Sequence, residues 1–263
     1  MTALTDLWLR EFHPGPGTGA RLICFPHAGG SASAFLPLSQ LLSPELDIQA
    51  VQYPGRQDRR AEPPIGTIED LARELFAVLR AHTDDRPLAF FGHSMGALVA
   101  FELARLLERD GDRPPVRLFL SGRRAPSAER AGNKHPRSDA AIIAQLRELN
   151  GTDARLLDDE EIVQMVLPAL RADYAAVDAY QGSDAQVSCP ITALTGDGDP
   201  QVTPDEARAW RNHTTSESDL HIFTGGHFYL FQHLRAIGDL IAGRLEGPGT
   251  PRAAVAFPWG ECH

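Results

Sequence analysis

Lysine is nearly absent from this chain. Of its 25 cationic residues, Lys134 is the one lysine and 24 are arginines. The imbalance reads as genome base composition rather than chemistry. Cysteine is scarce as well. Cys24, Cys189 and Cys262 are far apart and odd in number, so they form neither a metal-ligand spacing nor a disulfide framework. A reducing, cytoplasmic setting is the simplest reading. No apolar run approaches the ~18 residues of a membrane span. Met1 to Phe12 lacks a basic stretch followed by an apolar one, so it does not read as a signal peptide. Cations are outnumbered by 35 acids, giving a formal charge of −10. Broad nucleic-acid binding, which neutralises phosphates with a basic surface, is thereby excluded.

What is present has the balance of an ordinary globular protein: 263 residues, 43% hydrophobic and 23% charged. That length admits one large domain or two small ones.

Short β-rich runs alternate with helical patterns. Strands are expected at 7–12, 21–25, 46–53, 88–91, 116–120, 191–195 and 220–223. Between them, Ile68, Leu71, Leu75, Val78 and Leu79 recur at a helical period within 67–81. Further helices are expected at 95–109, 204–211 and 228–245. The run Leu88-Ala89-Phe90-Phe91 is continuously apolar, as in a strand covered on both faces. Repeated strand–helix order predicts an α/β fold, a mostly parallel sheet with helices on both faces. Such sheets bind ligands at the carboxyl ends of their strands.

Residues 127–188 break the rhythm. They hold no convincing strand but two helical patterns, 140–149 and 160–180. We read them as a helical lid inserted into a core made of 1–126 and 189–246, an elaboration away from the site being the alternative. The tail, 247–263, has three prolines, three glycines and no clear period, and reads as flexible.

The sharpest feature is Gly92-His93-Ser94-Met95-Gly96, which fits the G-x-S-x-G nucleophile elbow and stands between a strand and a helix. On such a turn the serine is lifted off the sheet edge and its neighbours must be small. A nucleophilic serine needs a base and an orienting carboxylate, which follow in the order Ser, Asp or Glu, His. Gly196-Asp197-Gly198-Asp199-Pro200 and Gly225-Gly226-His227-Phe228 both follow strand ends. His227 is therefore the base candidate, and Asp199 is favoured over Asp197, which sits on the turn itself. His221 reads as packing within its strand, His233 as pointing elsewhere, and His93 as structural. The oxyanion hole takes one N–H from the residue after the nucleophile, Met95. The other is expected in Phe25-Pro26-His27-Ala28-Gly29-Gly30, from Ala28 with Gly29 as the fallback, and His27 shapes that loop.

Those motifs, together with Tyr53-Pro54-Gly55-Arg56, stand in the order seen in type II thioesterases of polyketide and nonribosomal peptide synthesis, and 146–152 also looks like this family. The resemblance runs from about Leu7 to Leu245. It implies an α/β-hydrolase that clears stalled or mis-primed acyl groups from the phosphopantetheine thiol of carrier proteins. By the same resemblance Ser94 is the nucleophile, His227 the base then acid, Asp199 the orienter, and Met95 and Ala28 the oxyanion donors, with no cofactor and no metal. The chain is expected to be a separate protein rather than a fused release domain, and a monomer. Carrier proteins are generally acidic, and so is this chain. Residues 117–137, however, carry six cations against Glu129. Arg123, Arg124 and Arg130 are therefore expected to help dock the carrier, a solvated loop being the alternative. Competing readings are a serine esterase or lipase on small esters, a medium-chain acyl-carrier thioesterase, an acyltransferase and a non-catalytic binding protein. Acyl preference is not legible, although Met165, Leu167, Leu170, Tyr174 and Tyr180 are candidates to line the pocket.

Overall fold

A computed structural model describes residues 3–81, 86–111, 114–128, 135–136, 138–149 and 158–245. In chain order its helices are α1 (Ala3–Trp8), α2 (Leu36–Leu42), α3 (Ile68–Arg80), α4 (Met95–Arg109), α5 (Asp139–Leu149), α6 (Glu160–Ala179), α7 (Pro204–Arg208) and α8 (Leu234–Leu245). Its strands are β1 (Leu9–Arg10), β2 (Arg21–Phe25), β3 (Asp47–Val51), β4 (Leu88–His93), β5 (Arg117–Ser121), β6 (Ile191–Gly196) and β7 (Ser218–Phe223). They form one sheet in the order β1-β3-β2-β4-β5-β6-β7. Only β1 runs antiparallel to its neighbour.

Period-two alternation divides the core. Ile23, Phe25, Phe90, Leu118 and Leu120 point to the face covered by α3 and α4, where Leu71, Leu75, Leu98 and Phe101 lie. Leu22, Cys24, Ala89, Phe91 and Phe119 point to the other, covered by Leu38 and Leu42 of α2 and Ile237 and Ile241 of α8. With both faces covered, the inner strands are buried along their length. The expected parallel α/β sheet is present.

Several boundaries differ from expectation. The run 7–12 is not a strand: α1 extends to Trp8 and only Leu9 and Arg10 pair, with β3. Trp8 and Leu9 are both buried, a consecutive pair that one face of an alternating strand would not bury. The helix expected over 204–211 ends at Arg208 and continues as a 3-10 turn to His213. The one expected from 228 begins only at Leu234, because Tyr229–Phe231 form a separate 3-10 turn. That turn keeps Tyr229 buried, with its hydroxyl 2.6 Å from Ser121 Oγ.

Helices α5 and α6 both lie between β5 and β6 in the chain. Ile142, Leu167, Leu170 and Tyr174 form a third, small cluster that also touches Ala28. Farther along α6, Ala176 and Val177 join the main core. The tail expected to be flexible, 247–263, lies outside the described residues, as do residues 150–157 between α5 and α6.

Candidate active site

Ser94 sits between β4 and α4 with φ 54° and ψ −117°. Left-handed backbone at a side-chain-bearing residue costs on the order of 1–3 kcal/mol. The elbow is held by the Ser94 N–H, which donates to the Ser121 carbonyl at 2.8 Å. Gly96 shows why the motif demands glycine: a Cβ there would lie 2.0 Å from the Phe25 carbonyl oxygen. The first turn of α4 therefore abuts the β2 loop, and the Met95 N–H opens the helix beside Ser94.

His227 Nδ1 lies 2.9 Å from Asp199 Oδ2, and both side chains are almost wholly buried. A carboxylate only accepts, so Nδ1 carries the proton and Nε2 is left as the basic nitrogen. Asp199 is itself held by the Gln201 N–H, 2.8 Å from Oδ1. Asp197 does what a turn aspartate does, taking the Gly225 N–H at 2.9 Å. The two loops meet closely. A Cβ on Gly196 would be 2.4 Å from the Gly225 carbonyl, so glycine there lets the His227 loop sit against β6. Ser94, Met95, Ala28, His27 and His227 line one pocket.

Two further imidazoles crowd this pocket. His93 is buried, 5.1 Å from the His227 ring, with Nδ1 2.9 Å from Ser121 Oγ. Burial, helped by His227 and His27, holds it well below the usual histidine range. His27 packs edge-on against Phe228 at 4.8 Å. Burial, with His227 and Arg56 nearby, brings it down to about 3. Both rings are therefore neutral near pH 7. His93 holds the Ser121 hydroxyl beside the elbow, and His27 packs on Phe228.

The β2 loop separates the two candidate oxyanion donors. The Gly29 N–H is occupied, donating to Asp173 Oδ2 at 2.7 Å. Asp173, fully buried on α6, also takes both arms of Arg56 at 2.9 Å each. Asp173 was not singled out from the sequence, and Arg56 was named only as part of the Tyr53-Pro54-Gly55-Arg56 motif, with no role given to it. A signal was available: Asp173 is the acid on the apolar stripe Leu167, Leu170, Tyr174 and Val177 of α6, and a charge on a buried stripe requires a partner.

The thioesterase-domain family model matches residues 20–245. The chain belongs to the thioesterase family. It is 50% identical over 253 residues to a probable cadicidin biosynthesis thioesterase of Streptomyces griseus, covering 95% of this chain and 68% of that protein. It is 46% identical over 256 residues to thioesterase PikA5 of Streptomyces venezuelae, covering 97% and 91%. Among solved structures it resembles the type II thioesterase BorB from the borrelidin biosynthetic cluster, with 51% identity, a TM-score of 0.85 and coverage of 92% and 98%. The fold is that of the α/β-hydrolases and the enzyme is a thioester hydrolase. The resemblance read from the motifs is therefore the family found.

Other expectations for this thioesterase divide. His221 does not pack in its strand; it is half-buried and pairs with Asp219 at 2.9 Å. His233 turns back to the Thr224 carbonyl at 2.8 Å. Arg124, expected at a docking surface, is buried, lines the Ser94 pocket and donates to the Gln201 carbonyl at 2.9 Å. Arg123 is half-buried at that pocket, and Arg130 lies outside the described residues. A second, mainly apolar cavity of about 410 Å³ shares His27, Ala28, Leu146 and Phe228 with the first. Leu167 and Leu170 line it, and Tyr174 lines the Ser94 pocket. Met165 is 57% exposed, and the Tyr180 hydroxyl donates to Glu102 in the core at 2.7 Å. Among the described residues no cluster of histidine, cysteine or acids could hold a metal ion, and no helix is long and apolar enough to cross a membrane.

Proposed function

We propose that this thioesterase removes aberrant or stalled acyl groups from the phosphopantetheine thiol of carrier proteins through a Ser94 acyl-enzyme. The observation that carries the chemistry is that His227, paired with the buried Asp199, lines the same pocket as a strained Ser94. In this reading His227 Nε2 takes the Ser94 proton as Oγ attacks the thioester carbonyl. The oxyanion is held by the Met95 and Ala28 amides; Asp173 already takes the Gly29 amide, which favours Ala28. His227 then returns the proton to the departing pantetheine thiol. Water, activated by the same imidazole, frees the acid. Asp199, at 2.9 Å from Nδ1, keeps His227 in the reactive tautomer.

The carrier-bound substrate is supported by the relatives' names, a biosynthesis thioesterase and a type II thioesterase from a biosynthetic cluster. The 410 Å³ apolar cavity beside Ala28 suits an acyl chain, and α5 and α6, which supply Leu146, Leu167 and Leu170 to it, act as the lid. The test is a hydrolysis panel of acyl groups loaded on carrier protein, coenzyme A and p-nitrophenol. Carrier-bound chains are expected to have the highest kcat/KM, and Ser94→Ala to abolish turnover of all three. A preference for p-nitrophenyl esters would point to a simple esterase. Turnover that survives Ser94→Ala would remove the serine mechanism.

A further inference from the structure

One cluster lies outside the catalytic chemistry but against it. Arg56 makes four hydrogen bonds: Nη1 and Nη2 to Asp173 at 2.9 Å each, Nη1 to the Gly30 carbonyl at 3.0 Å, and Nε to the Pro54 carbonyl at 3.3 Å. Its guanidinium also lies 5.0 Å from the Tyr53 ring centroid. Asp173 uses the remaining capacity of Oδ2 on the Gly29 N–H. The ion pair thus grips Gly29 by its amide and Gly30 by its carbonyl, both just beyond Ala28. On the near side, the Phe25 and Pro26 carbonyls lie against Gly96 of the elbow. The turn carrying Arg56 is itself over-determined, since Gln57 has φ 47° and holds Ser33 Oγ at 3.0 Å.

A buried ion pair is a poor stabilising device, because apolar residues of like volume often do as well. Here the pair joins three segments: the lid helix α6, the Tyr53–Arg56 turn and the β2 loop. We propose that Arg56 and Asp173 are positioning residues that set the Ala28 amide for the oxyanion and make that setting depend on α6 being seated. The inference rests on the Ser94 reading above. It assigns the Tyr53–Arg56 turn, which takes no part in the chemistry, a place behind the oxyanion hole. An aspartate is needed because two guanidinium bonds and one amide bond require three acceptor positions on one small group. An arginine is needed because a lysine ammonium cannot span Asp173, Gly30 and Pro54 from one fixed plane.

The test compares Asp173→Asn, Arg56→Lys and the double variant Arg56→Met/Asp173→Leu, which keeps apolar bulk between α6 and the turn without gripping the loop. Each is assayed with p-nitrophenyl butyrate for kcat and KM, with a trifluoromethyl ketone whose adduct carries the oxyanion, and for melting temperature. Loss of one oxyanion donor lowers kcat about 10²–10³-fold, and a displaced donor should lose about 10–10²-fold. We expect that loss in Asp173→Asn and in the double variant, with KM within about twofold and the inhibitor weakened in step with kcat. Arg56→Lys should retain more activity than the double variant. Where one variant does not fold, the others decide. A folded double variant with wild-type kcat and inhibitor affinity overturns the proposal, as does a loss of kcat that leaves the inhibitor untouched. A wild-type enzyme whose Ser94 does not react with a fluorophosphonate overturns the functional reading, and this inference with it. A reactive wild type with equally reactive variants overturns the inference alone.

Discussion

His27 and His93 lie beside His227 without taking its role, and burial is the reason. A histidine whose folded pKa is depressed binds fewer protons folded than unfolded. Its contribution is present above the unfolded value of 6.5 and is lost as pH falls towards the folded one. For His27, held at about 3 by burial, His227 and Arg56, the window is therefore pH 6.5 down to 3. In it each such ring lowers the unfolding free energy by about 1.4 kcal/mol per pH unit. Urea melts between pH 7 and 4.5 should show stability falling with acid, and His27→Phe should flatten the slope. An unchanged slope would mean the ring takes up its proton in the native state. Cys24 and Cys189 are inert for the same reason: burial raises both thiols, the second to about 12. Native protein should not be alkylated at either, as peptide mapping after iodoacetamide would show. The scarcity of lysine, first read as base composition, has a structural counterpart at Arg56, whose forked head makes bonds no ammonium could duplicate together.

At the scale of elements, local chemistry placed most of the frame. Helix α3 announces itself through one apolar stripe and Thr67, whose hydroxyl caps the Asp70 N–H at 3.1 Å. The late start of α8 was not legible, because Tyr229 is withheld from it by Ser121, which is 108 positions away. Gly196 and Gly225 meet where β6 and β7 end. Gly196→Ala should force the His227 loop outward, at about 1–3 kcal/mol of stability from overpacking. A displacement near 1 Å would lower kcat up to about 10²-fold. Urea denaturation and kcat on p-nitrophenyl butyrate check the two. A large stability loss with unchanged kcat would show that the loop adjusts without moving His227.

Across the whole molecule, the −10 charge argues against broad nucleic-acid binding, but it averages over a basic stretch of sequence at 117–137. Of the residues expected to dock the carrier, Arg123 is the one to test among the described residues, since reversing the buried Arg124 would leave a carboxylate in the core and confound the test. Arg123→Glu should raise KM severalfold more for acyl-carrier than for a small acyl-thiol, whose KM reports the change at the pocket lining alone. Equal effects on both substrates would count against docking.

The parallel α/β frame, the elbow and the order of Ser94, Asp199 and His227 could all be read along the chain. Periodicity, glycine sterics and strand-end loops act between neighbours in the chain, so they can be read there. Packing alone places the Gly29 amide on Asp173, Arg124 in the interior, and the Arg56 turn against the loop at Gly30. Those contacts join groups 144, 77 and 26 positions apart. Nothing local encodes them. They follow from where packing brings α6 and the strand ends to rest, and from the rule that a charge buried there must find its partners.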